Sequence, residues 1–147
     1  MRRSKSEIDF HFVWATHRRM PLVTPRWEQA IYACILQEVK RQECETLVLG
    51  GMPDHIHLDL AMPPKCSPAT LMRCIKGVSS TFVRQKLAQG EFFGWQDGYA
   101  VFAVCRAHRD VVVSYIRGQK KHHAEGGTQP EWEEVDEERP EPKEPWV

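Results

Sequence analysis

The feature that most constrains the fold is a short run, from Pro53 to Leu60, in which polar and apolar residues alternate. Alternation with a period of two is typical of a β-strand whose two faces have different surroundings. In such a strand His55, His57 and Asp59 lie on one face, and the aliphatic residues between them lie on the other. We therefore predict a half-buried strand that carries two imidazoles side by side, which is half of a metal site.

The rest of the chain predicts the order β-α-β-β-α-β followed by one more helix. Strands are predicted where bulky residues alternate, and helices where aliphatic residues recur every three or four positions. Thr24-Pro25 and Ser67-Pro68 are predicted helix starts, because a capping residue precedes a proline. Gly50-Gly51, together with Pro53, is predicted to form the turn after the second strand. The strands are expected at residues 8–16, 46–49, 55–61 and 99–105, and the helices at residues 27–41, 67–89 and 110–124.

This order is that of the ferredoxin-like α+β fold, an antiparallel sheet with two helices on one face. The first and third strands lie in the middle of such a sheet, so the histidine strand is expected to be central. Ile56, Leu58 and Leu60 would then pack beneath the two helices. The face with the histidines would be open, and we expect the last helix to cover it.

The last predicted helix carries groups that could complete a site with the histidine pair. Tyr115 and Gln119 are four residues apart, and residues four apart share one face of a helix. Gln119 offers a neutral oxygen as a third metal ligand. Tyr115 offers a phenol, which is a poor nucleophile unless a cation stabilises its phenolate. His122 and His123 follow one turn later.

Charge is distributed unevenly along the chain. Residues 128–147 contain eight acidic and two basic residues, so this segment has a net charge of −6, and residues 1–127 have a net charge of +6 because the whole chain is neutral. A basic body is compatible with a polyanionic partner. We expect residues 1–127 to form one domain, and the acidic, proline-rich tail to be flexible and to be attracted weakly to the body.

Other features of the composition exclude some classes of protein. The five cysteines form no Cys-x-x-Cys pair, which fits reduced thiols in the cytoplasm and excludes a disulfide framework. No apolar run is long enough for a transmembrane helix. The basic residues near Met1 are not followed by an apolar stretch, so a signal peptide is not expected.

Four motifs make the chain similar to the single-tyrosine HUH transposases of the IS200/IS605 type, which include REP-associated relatives. The resemblance extends over most of residues 8–124 and does not include the acidic tail. It implies that Tyr115 is catalytic and that His55, His57 and Gln119 hold a divalent metal ion, Mg²⁺ or Mn²⁺. The motifs are MPDHIHL at residues 52–58, KGVSS at 76–80, WQDGY at 95–99 and YIRGQKKHH at 115–123.

What the resemblance implies is a DNA transposase that cleaves and rejoins single-stranded DNA through a 5′-phosphotyrosine and recognises DNA hairpins. It also implies a homodimer that works in the cytoplasm and not on a membrane. Competition between the acidic tail and DNA is then expected, since both are polyanions. Contacts with DNA phosphates are expected from basic residues of the body, namely Arg18, Arg19, Lys76, Arg117, Lys120 and Lys121.

Two other functions remain open from the sequence. The histidine pair is similar to the strand of the histidine-triad nucleotide hydrolases, although Asp59 stands where those enzymes have a third histidine. The chain could also be a domesticated protein that binds DNA hairpins and has lost catalysis. The intact set of Tyr115, His55, His57 and Gln119 argues against that loss.

Overall fold

A four-stranded antiparallel sheet forms the centre of the computed structural model, which describes residues 5–126, 128 and 133. The strands are β1 (Asp9–Ala15), β2 (Glu45–Met52), β3 (His55–Ala61) and β4 (Ala100–Val104), and the helices are α1 (Glu28–Arg41), α2 (Pro68–Phe82), α3 (Arg109–Arg117) and α4 (Gln119–Glu125). The sheet order is β2-β3-β1-β4. The predicted α+β, ferredoxin-like order is confirmed, with β1 and β3 in the middle. Short helical turns at His17–Arg19, Val83–Leu87 and Arg106–His108 complete the described elements.

The main core lies between the sheet and the helices α1 and α2. Phe12 and Trp14 of β1 pair across the sheet with Leu58 and Ile56 of β3, and all four side chains are fully buried together with Ile75 of α2. Complete burial of an apolar side chain of this size contributes about 1.5–3 kcal/mol. This layer therefore fixes the face of β3 that packs under the helices, and the histidines take the other face.

The two predicted helix starts have different outcomes. The Ser67 hydroxyl accepts a hydrogen bond from the backbone N–H of Thr70 (3.4 Å) at the start of α2, as predicted. The predicted cap at Thr24 is wrong, because α1 starts after Trp27 without a side-chain cap. The Thr24 carbonyl instead accepts the N–H of Glu28 (2.9 Å). The chain thus makes one extra turn before the helix begins.

β2 is longer than predicted, and Gly50 and Gly51 lie inside it. The turn to β3 is formed by Pro53 and Asp54, so the predicted turn is confirmed at Pro53 and wrong at the two glycines. Gly50 pairs with His57 across the sheet, and a Cβ atom on Gly50 would lie 2.6 Å from the backbone oxygen of Ile116 in α3. The glycine is needed because a helix comes very close to the strand at this point.

α3 and α4 cover the histidine face of the sheet, where a single helix was predicted. Gly118 separates them. A second apolar cluster, formed by Val48, Val112, Tyr115 and Ile116, holds α3 against β2. The expectation that the last helical segment covers the open face is therefore confirmed. Among the helices of the described residues, none combines the length and the apolar character that crossing a bilayer requires, and all five cysteines are free thiols.

Candidate active site

His55 and His57 lie side by side on β3, with their ring centroids 5.1 Å apart. Both side chains are buried, and each ring is held through its Nδ1 atom. Nδ1 of His55 lies 2.6 Å from Oδ1 of Asp54, and Nδ1 of His57 lies 2.8 Å from Nε2 of His11. Partners at Nδ1 leave the Nε2 atoms for the site, which is how metal-binding histidines are usually oriented.

Burial and hydrogen bonds act differently on the protonation of these rings. Burial lowers the pKa of His57 and, with the neighbouring His57, lowers the pKa of His11 to about 3. These two rings are therefore neutral at pH 7, the form in which imidazole binds a metal. Burial also acts to lower the pKa of His55, but hydrogen bonds to Asp54 and Glu133 outweigh it and raise this pKa to about 9. A metal ion would displace a proton from His55.

Tyr115 of α3 lies next to the histidine pair. Its ring centroid is 6.0 Å from that of His57, in an edge-to-face arrangement, and the ring of His122 stacks on it with a centroid distance of 5.1 Å. The side chain is largely buried. The phenol ring is thus fixed between His57 of the sheet and His122 of α4.

Gln119, the first residue of α4, reaches the same space. Its Oε1 atom lies 3.3 Å from Nε2 of His55 and 3.1 Å from Nε2 of His123, and its side chain is buried. The structure therefore brings together the four residues that the sequence singles out for the site. It also adds His123, which the sequence places one turn beyond Gln119 without giving it a role.

Glu133 is a member of the site that the sequence analysis did not identify. Its Oε2 atom lies 2.7 Å from Nε2 of His55 and 3.3 Å from Nε2 of His57, and its Oε1 atom accepts a hydrogen bond from the Tyr115 hydroxyl (2.5 Å). Burial acts to raise the pKa of Glu133, but hydrogen bonds from the histidines and the tyrosine outweigh it and hold this pKa far below its usual range.

Nothing in the sequence distinguishes Glu133 from the other seven acidic residues of the tail. The tail was predicted to be flexible, and apart from Thr128 and Glu133 that prediction lies outside the described residues. His11 and Asp54 were also missed. The only sequence signal for His11 is its position on the same face of a predicted strand as the polar residues of β3.

The donor atoms fit a divalent metal ion. The nitrogen atoms of His55 and His57 and a carboxylate oxygen of Glu133 all lie within 4.8 Å of one another, close enough to share one ion. Two imidazoles with amide and carboxylate oxygens suit Mn²⁺ well, and the oxygen donors also suit Mg²⁺.

Three of the six predicted phosphate contacts, Lys76, Lys120 and Arg19, have partners within the protein. The Lys76 ammonium donates hydrogen bonds to the carbonyls of Gln96 (2.8 Å) and Gly98, and burial lowers the pKa of this lysine. Lys76 thus anchors the loop before β4. Lys120 forms an ion pair with Glu28 of α1.

Arg19 is 3.6 Å from the Asp54 carboxylate, next to the candidate site, and donates a hydrogen bond to the backbone carbonyl of Glu133. Arg18, Arg117 and Lys121 are exposed. Contact of any of the six residues with DNA phosphates stays a prediction.

The sequence matches the family model described as "Transposase IS200 like" over residues 4–119. It is also similar to a curated protein, the ISDra2 transposase TnpA of Deinococcus radiodurans. The two are 21% identical over 118 residues, which cover 77% of this chain and 84% of that protein.

Two solved structures share the fold. A crystal structure from Deinococcus radiodurans R1, of a protein assigned as a transposase, superposes with a TM-score of 0.61 at 22% identity and covers 81% of this chain and 98% of that chain. A REP-associated tyrosine transposase bound to a REP hairpin superposes with a TM-score of 0.62 at 19% identity and covers 87% of this chain and 74% of that chain. The family match ends at Gln119, so Glu133 lies beyond it.

Proposed function

This chain belongs to the family of IS200-like, single-tyrosine transposases, and from that premise we propose that it cleaves and rejoins single-stranded DNA next to a hairpin through a covalent bond to Tyr115. One observation carries the proposal. The Tyr115 ring packs edge to face against His57, one of two buried imidazoles whose Nδ1 atoms are held by Asp54 and His11. A nucleophile next to a prearranged pair of metal ligands is what transfer of a phosphoryl group requires.

In the proposed reaction, the Tyr115 oxygen attacks the scissile phosphorus and loses its proton. The bond between phosphorus and the 3′ oxygen breaks, and that oxygen leaves as a 3′-hydroxyl after it gains a proton. The 5′ end of the DNA is then joined to the tyrosine. Attack by a second 3′-hydroxyl on the phosphotyrosine reverses these steps and seals a strand. No external energy source is needed, because the phosphotyrosine conserves the energy of the broken bond.

His55, His57 and Gln119 would hold a divalent ion. When bound, the ion supplies positive charge that polarises the phosphoryl oxygen and orients the phosphate for in-line attack. Asp54 and His11 keep the two imidazole rings in place for that role. By ligand softness, the imidazoles favour Mn²⁺ over Mg²⁺.

The proposed substrate is a DNA hairpin with a single-stranded flank. Support comes from the structural relative that is bound to a REP hairpin, and from Arg18, Arg117 and Lys121, whose exposed side chains can contact phosphates. A homodimer in the cytoplasm is part of this proposal. The histidine-triad alternative gains no support from the site. Asp59 stands where those enzymes have a third histidine, and its charged neighbours are Asp9 and Arg109.

The proposal is tested by incubating a labelled hairpin oligonucleotide with the protein and Mn²⁺, followed by a denaturing gel. The native protein should give a band of covalently bound DNA. Tyr115→Phe should reduce this band to background and leave hairpin affinity within about twofold, because the ring keeps its packing and only the hydroxyl is lost. Tyr99→Phe, which removes a phenol elsewhere, is the matched control.

A covalent band that persists in Tyr115→Phe would exclude Tyr115 as the nucleophile. Hairpin binding by the native protein without any cleavage in Mn²⁺ would support the domesticated DNA-binding protein instead. Release of mononucleotides without a covalent band would support the nucleotide hydrolase.

A further inference from the structure

We infer that Glu133 is a further ligand of the metal ion, so that the segment beyond the family's shared region completes the metal site. This inference deepens the proposed function and rests on His55 and His57 holding that ion. It assigns a role to a residue that lies outside the family match, which ends at Gln119.

The spacing of the donor atoms is the first argument. An octahedral ion with bonds of about 2.1 Å holds neighbouring ligand atoms about 3 Å apart. Oε2 of Glu133 lies 2.7 Å from Nε2 of His55 and 3.3 Å from Nε2 of His57. Oε1 of Gln119 lies 3.3 Å from Nε2 of His55. These distances are those expected between adjacent ligands of one ion.

Charge and ligand type are the second argument. Two neutral imidazoles and an amide bring no negative charge to a divalent ion, whereas a carboxylate brings one. Carboxylate oxygen is also a ligand that both Mg²⁺ and Mn²⁺ prefer. Without Glu133, the site would have to hold a doubly positive ion in a largely buried position with neutral donors alone.

The way in which Glu133 is held is the third argument. Only 12% of its side chain is exposed, which is unusual for a glutamate in an acidic segment. Gln119 Nε2 donates to Oε1 (3.2 Å), His123 Nε2 lies 3.3 Å from Oε2, and the Arg19 guanidinium donates to the backbone carbonyl of Glu133. Contacts on both carboxylate oxygens and on the backbone orient this side chain into the site.

One carboxylate then contacts both parts of the catalytic apparatus. Oε2 faces the histidines, while Oε1 accepts the hydrogen bond of the Tyr115 hydroxyl (2.5 Å). A ligand that bridges in this way fixes the separation of the nucleophile and the ion before DNA enters. The scissile phosphate must then take over the contact of Oε1 with the tyrosine.

The inference is tested by titrating Mn²⁺ into full-length, untagged protein and following heat and the electron paramagnetic resonance of free Mn²⁺. Glu133→Gln keeps the shape of the side chain and removes its charge, and it should raise the Kd for Mn²⁺ by about tenfold or more. Glu125→Gln, which neutralises an exposed glutamate of α4, should leave the Kd unchanged. His57→Ala should abolish specific binding. Circular dichroism of each variant checks the fold.

The outcomes separate this inference from the function on which it rests. If Glu133→Gln binds Mn²⁺ like the native protein while His57→Ala does not bind, Glu133 is not a ligand and the histidine site stands. If His57→Ala also binds like the native protein, the histidines do not hold the ion, and the proposed function and the inference fail together.

Discussion

His57 is oriented by a residue of another strand. β1 and β3 pair antiparallel, with Val13 opposite His57 and His11 opposite Asp59. His11 therefore lies on the same face of the sheet as His57, and its Nε2 atom reaches Nδ1 of His57. The sequence predicts that His55 and His57 share one face, because they alternate within one strand. It cannot predict the support from His11, because that depends on the register of strands that lie far apart in the chain.

Asp59 is the buried acid of the same face. It is fully buried, and within residues 5–126 neither carboxylate oxygen meets a hydrogen-bond donor in good geometry. Burial, with a smaller effect of the nearby Asp9, raises the pKa of Asp59 to about 7 against the opposing effect of Arg109. The folded protein therefore binds a proton at Asp59 more tightly than the unfolded chain does.

We expect this acid to make stability depend on pH. Because the pKa in the folded state lies above that of the unfolded state, the contribution to stability is complete below pH 4 and is lost as the pH rises to about 7. Asp59→Asn resembles the protonated form, so relative to the native protein it should gain about 4 kcal/mol of unfolding free energy between pH 4 and pH 8. Urea unfolding at both pH values measures this, with the exposed Asp97→Asn as control. A parallel response of all three proteins would contradict the prediction.

Among the elements, the contact between β2 and α3 decides where Tyr115 lies. Gly50 allows the backbone of α3 to approach the strand, and Tyr115 is adjacent to the residue that makes this approach. The helical period of the last segment predicts that Tyr115 and Gln119 face the histidines. The sequence does not predict how closely α3 approaches β2. A glycine can mark a turn, or it can mark a place where a helix packs closely on a strand, and the sequence alone does not distinguish the two.

Gly50→Ala should displace α3 and slow the chemistry. Its Cβ atom would lie 2.6 Å from the backbone oxygen of Ile116, which cannot move without the helix. Because misplacement by about 1 Å can cost 100-fold in rate, we expect single-turnover cleavage to fall at least tenfold, while Mn²⁺ affinity changes little. Gly77→Ala is the matched control, since the described residues leave its Cβ open space; it should be active and slightly more stable. Unchanged cleavage by Gly50→Ala would show that the helix position is not critical.

For the whole molecule, the separation of charge between the basic body and the acidic tail is the feature that bears most on the proposed binding of DNA. The body carries +6 and residues 128–147 carry −6, and Glu133 of that segment lies in the candidate site. Composition alone predicts the attraction between the two parts. It does not predict which glutamate enters the site, because no periodicity or spacing marks one acidic residue among eight.

Removal of residues 128–147 should tighten the binding of random single strands in the absence of metal. A tethered polyanion competes with DNA at a high effective concentration, and its loss lets more phosphates be neutralised. The gain should be largest at low salt, and log Kd should depend more steeply on log salt. Fluorescence anisotropy with a scrambled oligonucleotide across a salt series measures this. A full-length control retains Glu133 but has the acidic residues after it replaced by amides. Superimposable curves for native and truncated protein would show that the tail does not compete.

The position of the site along the chain has a consequence for synthesis. The last strand of the sheet ends at Val104, before the ribosome has added Tyr115, Gln119 or Glu133. Folding of a growing chain proceeds from its N-terminal part, so a nascent protein can form its sheet and its histidine pair before Tyr115 has been added. Under the proposed mechanism, a chain released by a premature stop before α3 would therefore be unable to cleave DNA. On the same premise, the proposed activity arises late in translation, in chains that have been made past these residues.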